Sequence, residues 1–171
     1  LTADPAGAPT LPSADANVVQ IVEAPGYVVL VAERYHDARI IPLDRPRDPH
    51  APPSWAGDSV GHWEGGVLVV ETANFRPGLT KRQDNFYVSP RTRVVERFRR
   101  IAPDRIHYEF SVTDPDLFTQ TWRGEYEFAP ASAIFEYACH EGNYSLVSIL
   151  EAARLGRQDE PPPEPPPAAT P

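Results

Sequence analysis

Apolar and polar positions alternate with a period of two over most of this chain, and the alternation is broken repeatedly by Pro, Gly, Asn and Asp. The clearest stretch runs from Gly57 to Phe75. Gly57-Asp-Ser-Val-Gly-His-Trp63 reads as a short strand, and Glu64-Gly65-Gly66 accepts positive φ at a turn. Val67-Leu68-Val69-Val70 is a β-branched run that no amphipathic helix needs, so the stretch predicts a β-hairpin. Val18 to Glu23 and Tyr27 to Tyr35 flank Ala24-Pro25-Gly26 and are expected to pair. Ala38 to Leu43 follows His36-Asp37, two residue types that tolerate left-handed backbone and so predict a second tight turn. Arg93 to Ile101 with Arg105 to Thr113, and Thr119 to Phe128 with Ala133 to His140, read as two more hairpins. With about nine strands and no helical crossover, the pattern predicts an all-β antiparallel barrel of lipocalin-like architecture.

The period changes to 3.6 after the last strand, where Leu146, Ile149, Leu150 and Ala153 share one face. This predicts one helix over 144–156 that closes the barrel, capped by Ser145, with Tyr144 and Ile149 spaced as a hydrophobic staple. Residues 17–157 then form the barrel domain. Residues 1–16, small and polar with three prolines, predict a flexible arm that carries little energy, and residues 158–171 a proline-rich disordered tail. Two stretches, Asp44 to Ala56 and Arg76 to about Arg91, lack any apolar period and read as long loops that either cover a cavity or decorate the surface. Phe86 and Tyr87 are the apolar residues of such a lid.

Composition narrows the partners. A net charge of -8, spread over both halves, argues against nucleic acid and anionic membranes. No apolar run reaches the ~18 residues that a membrane span needs. A single cysteine, Cys139, precludes an internal disulfide and reads as a buried thiol. The chain contains no Met, and its Ala/Pro/Thr-rich start has the composition expected after removal of a signal peptide, so the expected location is periplasmic or secreted. A homodimer is compatible with this picture.

Strand parity singles out the chemistry. In Arg93-Val-Val-Glu-Arg-Phe-Arg-Arg100 the arginines at 93, 97 and 99 take one face, which leaves Glu96 with Val94 and Phe98 on the apolar one. A carboxylate there is either a general acid or base of shifted pKa or a member of a buried salt bridge. The same parity turns Tyr108 inward as a hydrogen-bonding acid. His36, His62 and His140 stand at strand ends or turns, where they could meet Glu96 over a barrel mouth as alternative bases. Trp63, Trp122, Tyr137, Asn143 and Tyr144 are expected to line the ligand. No His-x-His or His-x-x-x-His spacing suggests a metal, and no phosphate loop, nucleophile elbow or other cofactor motif occurs.

Gly57 to Phe75, Glu96-Arg-Phe-Arg-Arg-Ile-Ala-Pro-Asp104 and Tyr137-Ala-Cys-His-Glu-Gly-Asn-Tyr144 together resemble a broad family of uncharacterised exported bacterial proteins, over about Val18 to Arg157. The resemblance implies export from a bacterium and names no substrate. The residues themselves predict a small-molecule-binding barrel acting on a partly aromatic compound. One form is a cofactor-independent lyase or isomerase that works by proton transfer; the other is a non-catalytic binding or carrier module of the cell envelope.

Overall fold

The computed structural model describes residues 7–12, 17–83, 86–138 and 144–158. It is mostly strand. β1 (Val19–Ala24), β2 (Tyr27–Ala32) and β3 (Ala38–Pro42) form a three-stranded antiparallel sheet. β4 (Asp58–Glu64), β5 (Val67–Ala73), β8 (Arg93–Ala102), β9 (Arg105–Thr113) and β10 (Trp122–Phe128) form a five-stranded antiparallel sheet in the order β10-β9-β8-β5-β4. β6 (Thr80–Gln83) and β7 (Phe86–Val88) make a separate two-stranded ribbon. Among the described residues the ladders do not close into a barrel.

The expected turns form, the second of them one residue earlier than His36-Asp37 suggests. Gly65 and Gly66, at φ 53° and 84°, join β4 to β5. Between β2 and β3 the left-handed positions are Tyr35 and His36, at φ 60° and 54°, within a 3-10 turn over Arg34–His36, while Asp37 is extended. The edges of the two sheets meet at Gly61. Leu43 forms a single parallel bridge to it, and a Cβ there would lie 3.0 Å from Ile41 Cγ2 and 3.1 Å from Leu43 Cδ2. A larger residue would push β3 away from β4.

One core lies between the sheets. Val28, Leu30 and Ile41 come from the smaller sheet, and Leu68, Val70, Val94, Phe98, Tyr108, Phe110 and Val112 from the larger. Tyr108 is the hub of its aromatic part, with ring centroids 4.8 Å from Phe98, 5.6 Å from Phe110 and 5.0 Å from Tyr126.

The structure departs from the sequence pattern in three places. The expected loop from Arg76 to Arg91 carries the β6–β7 ribbon, because Phe86 and Val88 are both buried and alternate with exposed Tyr87. Ala133 to His140 forms no hairpin with β10: residues 129–138 join no ladder, and 139–140 lie outside the described residues. The backbone there bonds to side chains instead, Phe135 N–H donating to Glu33 Oε1 at 3.0 Å and Tyr137 N–H to His36 Nε2 at 3.4 Å. The third correction concerns the amino-terminal arm. Gly7 to Thr10 are buried, Ala8 completely so, and Leu11 packs against the core, so this part of the chain is docked.

The chain divides after Tyr137 into two units. The second contains α1 (Ser145–Gln158). Its first helical bond runs from Ser148 N–H to Tyr144 C=O at 3.0 Å, which puts Tyr144 at the N-cap and Ser145 one residue inside.

Docking of residues 7–12 predicts that a chain beginning at Asn17 is less stable than the intact one by about 2–4 kcal/mol, from lost hydrogen bonds to a charged group and lost apolar burial. Urea unfolding monitored by circular dichroism measures this, and a difference below ~1 kcal/mol would show that the segment contributes nothing.

Candidate functional site

The charge that strand parity put on the apolar face is fully enclosed: Glu96 is 0% exposed and stands between Val94 and Phe98 on β8. Its partner is Arg39, on the buried face of β3 with Ile41 and itself 5% exposed. The pair is bidentate, with Arg39 Nη1 donating to Oε2 at 2.8 Å and Nη2 to Oε1 at 3.0 Å. Tyr108 Oη donates to Glu96 Oε1 at 2.7 Å. Thr10 completes the set: its N–H is shared between Tyr108 Oη at 2.9 Å and Glu96 Oε1 at 3.2 Å, and its C=O accepts from Tyr126 Oη at 2.8 Å.

Electrostatics follow from enclosure. Burial, reinforced by the Glu96 charge, pushes the Tyr108 phenol well above its ordinary value, and the same two causes raise Tyr126. Both hydroxyls are therefore neutral donors at neutral pH. Glu96 accepts hydrogen bonds from Arg39, Tyr108 and Thr10, and it does not line the clefts around Ile106, Ser111 or Trp122. This is the geometry of the salt-bridge reading of Glu96. Both of its carboxylate oxygens are engaged, and a general base must have a free oxygen within reach of the proton it removes.

The histidines do not join it. Gly61, Val70, Glu96 and Phe110 lie in register across β4, β5, β8 and β9, so His62, next to Gly61, faces the opposite side of the sheet. There its Nε2 lies 2.9 Å from Glu64 Oε1, and Glu64 also accepts from Arg97 Nη2 at 2.9 Å. Those two hydrogen bonds hold the exposed Glu64 carboxyl below its ordinary value. His36 is exposed and meets the Tyr137 backbone, while the Tyr137 ring stands edge-on to Tyr35 at 5.2 Å. His140 and Asn143 lie outside the described residues. Trp63 is half exposed at the end of β4, and Tyr144 is exposed. Of the expected site residues, Glu96 and Tyr108 touch, and Trp122 joins them through Phe110, whose ring centroid is 5.2 Å from its own.

Trp122 also lines an open cleft of about 570 Å³ with Phe86, Leu117, Phe118, Thr119 and Gln120. Phe86 and Phe118 meet its ring edge-on, at 5.3 and 6.3 Å. Its indole Nε1–H is buried and finds no acceptor among the described residues. The wall of the cleft is fixed from behind by Asp114, which parity alone did not flag. Asp114 accepts from Thr92 Oγ1, from Ser89 N–H and Oγ at 3.1 and 3.0 Å, and from Asp116 N–H at 2.9 Å. Its own C=O accepts from Phe118 N–H at 2.8 Å. Burial pushes the Asp114 carboxyl up, but these hydrogen bonds outweigh it and hold the group below its ordinary value.

On the outer face of the larger sheet, His107, Glu109 and Glu125 bring possible metal-ligand atoms within 4.8 Å of one another. Glu109 and Glu125 are direct cross-strand partners, and His107 Nε2 lies 3.1 and 3.7 Å from their carboxylates. A histidine between two repelling acids accounts for the cluster as it stands.

Comparison with protein-family models, curated proteins and solved structures finds no match for this chain.

Two outcomes follow from the buried cluster. Glu96→Gln leaves Arg39 charged and half-paired in the interior and is expected to cost about 3–5 kcal/mol in urea unfolding; a change under ~1 kcal/mol would mean that the site is hydrated. Tyr108 and Tyr126 have raised folded values, so their contribution is complete below the unfolded phenol value of about 10 and is lost as pH rises through the folded one. An ultraviolet titration should therefore show two of the seven tyrosines ionising only as the strands unfold. Free ionisation of all seven near pH 10 would contradict the enclosure.

Proposed function

We propose that this protein is a non-catalytic binding module for a small, partly aromatic molecule, acting in the periplasm or outside the cell, and that its ligand sits against Trp122. One observation carries the reading: Trp122 lines an aromatic cleft of about 570 Å³, and its buried indole N–H has no acceptor among the described residues. An unsatisfied buried donor costs about 1–3 kcal/mol, and native structures rarely leave one without a partner. A carbonyl or carboxylate on a ligand ring supplies that acceptor, while Phe86 and Phe118 supply edge and face contacts. Binding is favoured over a lyase or isomerase because Glu96 and Tyr108, the carboxylate and phenol expected to act as base and acid, are occupied by each other, by Arg39 and by Thr10.

Acetophenone, an aryl ketone with a single acceptor, is a suitable probe. In a nitrogen–proton correlation spectrum the chain gives three indole resonances, and those of the half-exposed Trp55 and Trp63 serve as internal controls. Titration is expected to move the Trp122 resonance alone and saturably, and Trp122→Phe to weaken binding about fivefold or more. A Trp122 resonance that stays still at millimolar probe in the folded protein would overturn the proposal.

A further inference from the structure

Residues 7–12 belong to no sheet, yet the strand unit holds them as it would hold a ligand. Every β-strand here is fixed by a backbone ladder. This segment is fixed by side chains that lie 86 to 116 residues away in sequence. Glu96 of β8 and Tyr108 of β9 read the N–H of Thr10, and Tyr126 of β10 reads its C=O. The Thr10 hydroxyl lies 3.4 Å from Glu96 Oε1. Two residues earlier Ala8 is completely buried among core side chains, which leaves room for a small side chain only. Two residues in one short stretch are thus specified, one by size and one by both of its backbone polar groups and its hydroxyl.

Such recognition fits a peptide in general, not this covalently attached one alone. An N–H and a C=O on one residue are what any peptide segment outside a ladder presents, and side-chain donors and acceptors can bind them without strand pairing. Arg39 makes the arrangement durable, because its two bonds hold the Glu96 carboxylate in place whether or not Thr10 is there. We propose that the inner face of β8, β9 and β10 is a peptide-binding site, that residues 7–12 are its resident occupant, and that it accepts in their place a short bent segment of a partner protein with the order small residue, proline, hydroxyl-bearing residue. This site is separate from the Trp122 cleft, and neither reading depends on the other.

The test keeps the whole chain. A protease recognition sequence placed between Pro12 and Asn17 allows the folded protein to be cut so that the resident segment is held only by its contacts. The probe is the labelled peptide Gly-Ala-Pro-Thr-Leu-Pro, followed by fluorescence anisotropy, with circular dichroism as the measure of folding. The cut protein is expected to stay strand-rich, to take up the probe saturably at one per chain, and to release it to unlabelled peptide. The same peptide methylated on the threonine nitrogen is expected to bind about tenfold or more weakly, since the N–H that Glu96 and Tyr108 read is gone, and Tyr126→Phe is expected to weaken the parent peptide severalfold. Collapse of the strand spectrum once the segment has been dialysed away would overturn the proposal, because the segment would then be part of the core. Failure of the folded, cut protein to take up the probe, or equal binding of the methylated peptide, would overturn it as well.

Discussion

The ion pair between Arg39 and Glu96 ties the two sheets together, and most of the structure is arranged to make it tolerable. Arg39 comes from β3 of the smaller sheet and Glu96 from the middle of the larger one, with their side chains 4% and 0% exposed. Taking both charges out of water costs several kcal/mol per ion, and Coulomb attraction offsets this only when geometry is good and the remaining lone pairs are satisfied. Both conditions hold. The contact is bidentate, and Tyr108 and Thr10 bond to the carboxylate oxygen that Arg39 Nη2 also reaches. The pair therefore contributes little as net attraction and much as a constraint: a register slip of one residue in either strand would turn one charge outward and strand the other inside.

How far this was legible depended on periodicity. Glu96 was found by parity because Val94 and Phe98 flank it, and Tyr108 by the same rule. Arg39 carries the same signal, a charge in step with buried Ile41 in Ala38-Arg-Ile-Ile-Pro42, and two inward charges of opposite sign on separate strands are a pairing that parity can propose. Thr10 could not be found in this way. Its segment has no alternation and is held by side chains distant in sequence, so nothing local marks it as buried. His62 was legible against the expectation: its neighbour Gly61 lies in register with Glu96, and adjacent strand residues face opposite ways. The expected strand that residues 133–138 do not form and the unexpected pairing of Thr80–Gln83 with Phe86–Val88 share a cause, since short apolar runs say little about whether a partner strand exists beside them.

The proposed ligand site lies away from this buried pair. The Glu96 carboxylate is engaged by Arg39, Tyr108 and Thr10, so the polar centre of the domain supports structure and holds the docked segment 7–12. The cleft lined by Trp122 is at the rim, where Asp114 ties the strand that precedes it to the turn leading into β10 and presents Phe118 beside Trp122. Placing polar recognition on loops anchored by a rigid sheet is a common division of labour in β proteins.

The central claim is that Arg39 and Glu96 act as one unit, and a double-mutant cycle in urea unfolding tests it most directly. Arg39→Met and Glu96→Leu each remove one charge and leave the other buried, so each alone should cost several kcal/mol, whereas the double variant replaces the pair by apolar groups of similar length. The account predicts that the double variant is more stable than the sum of the single losses allows, by at least ~2 kcal/mol. Additive losses, within ~0.5 kcal/mol, would show that the two residues act independently and that the sheets are held together by something else.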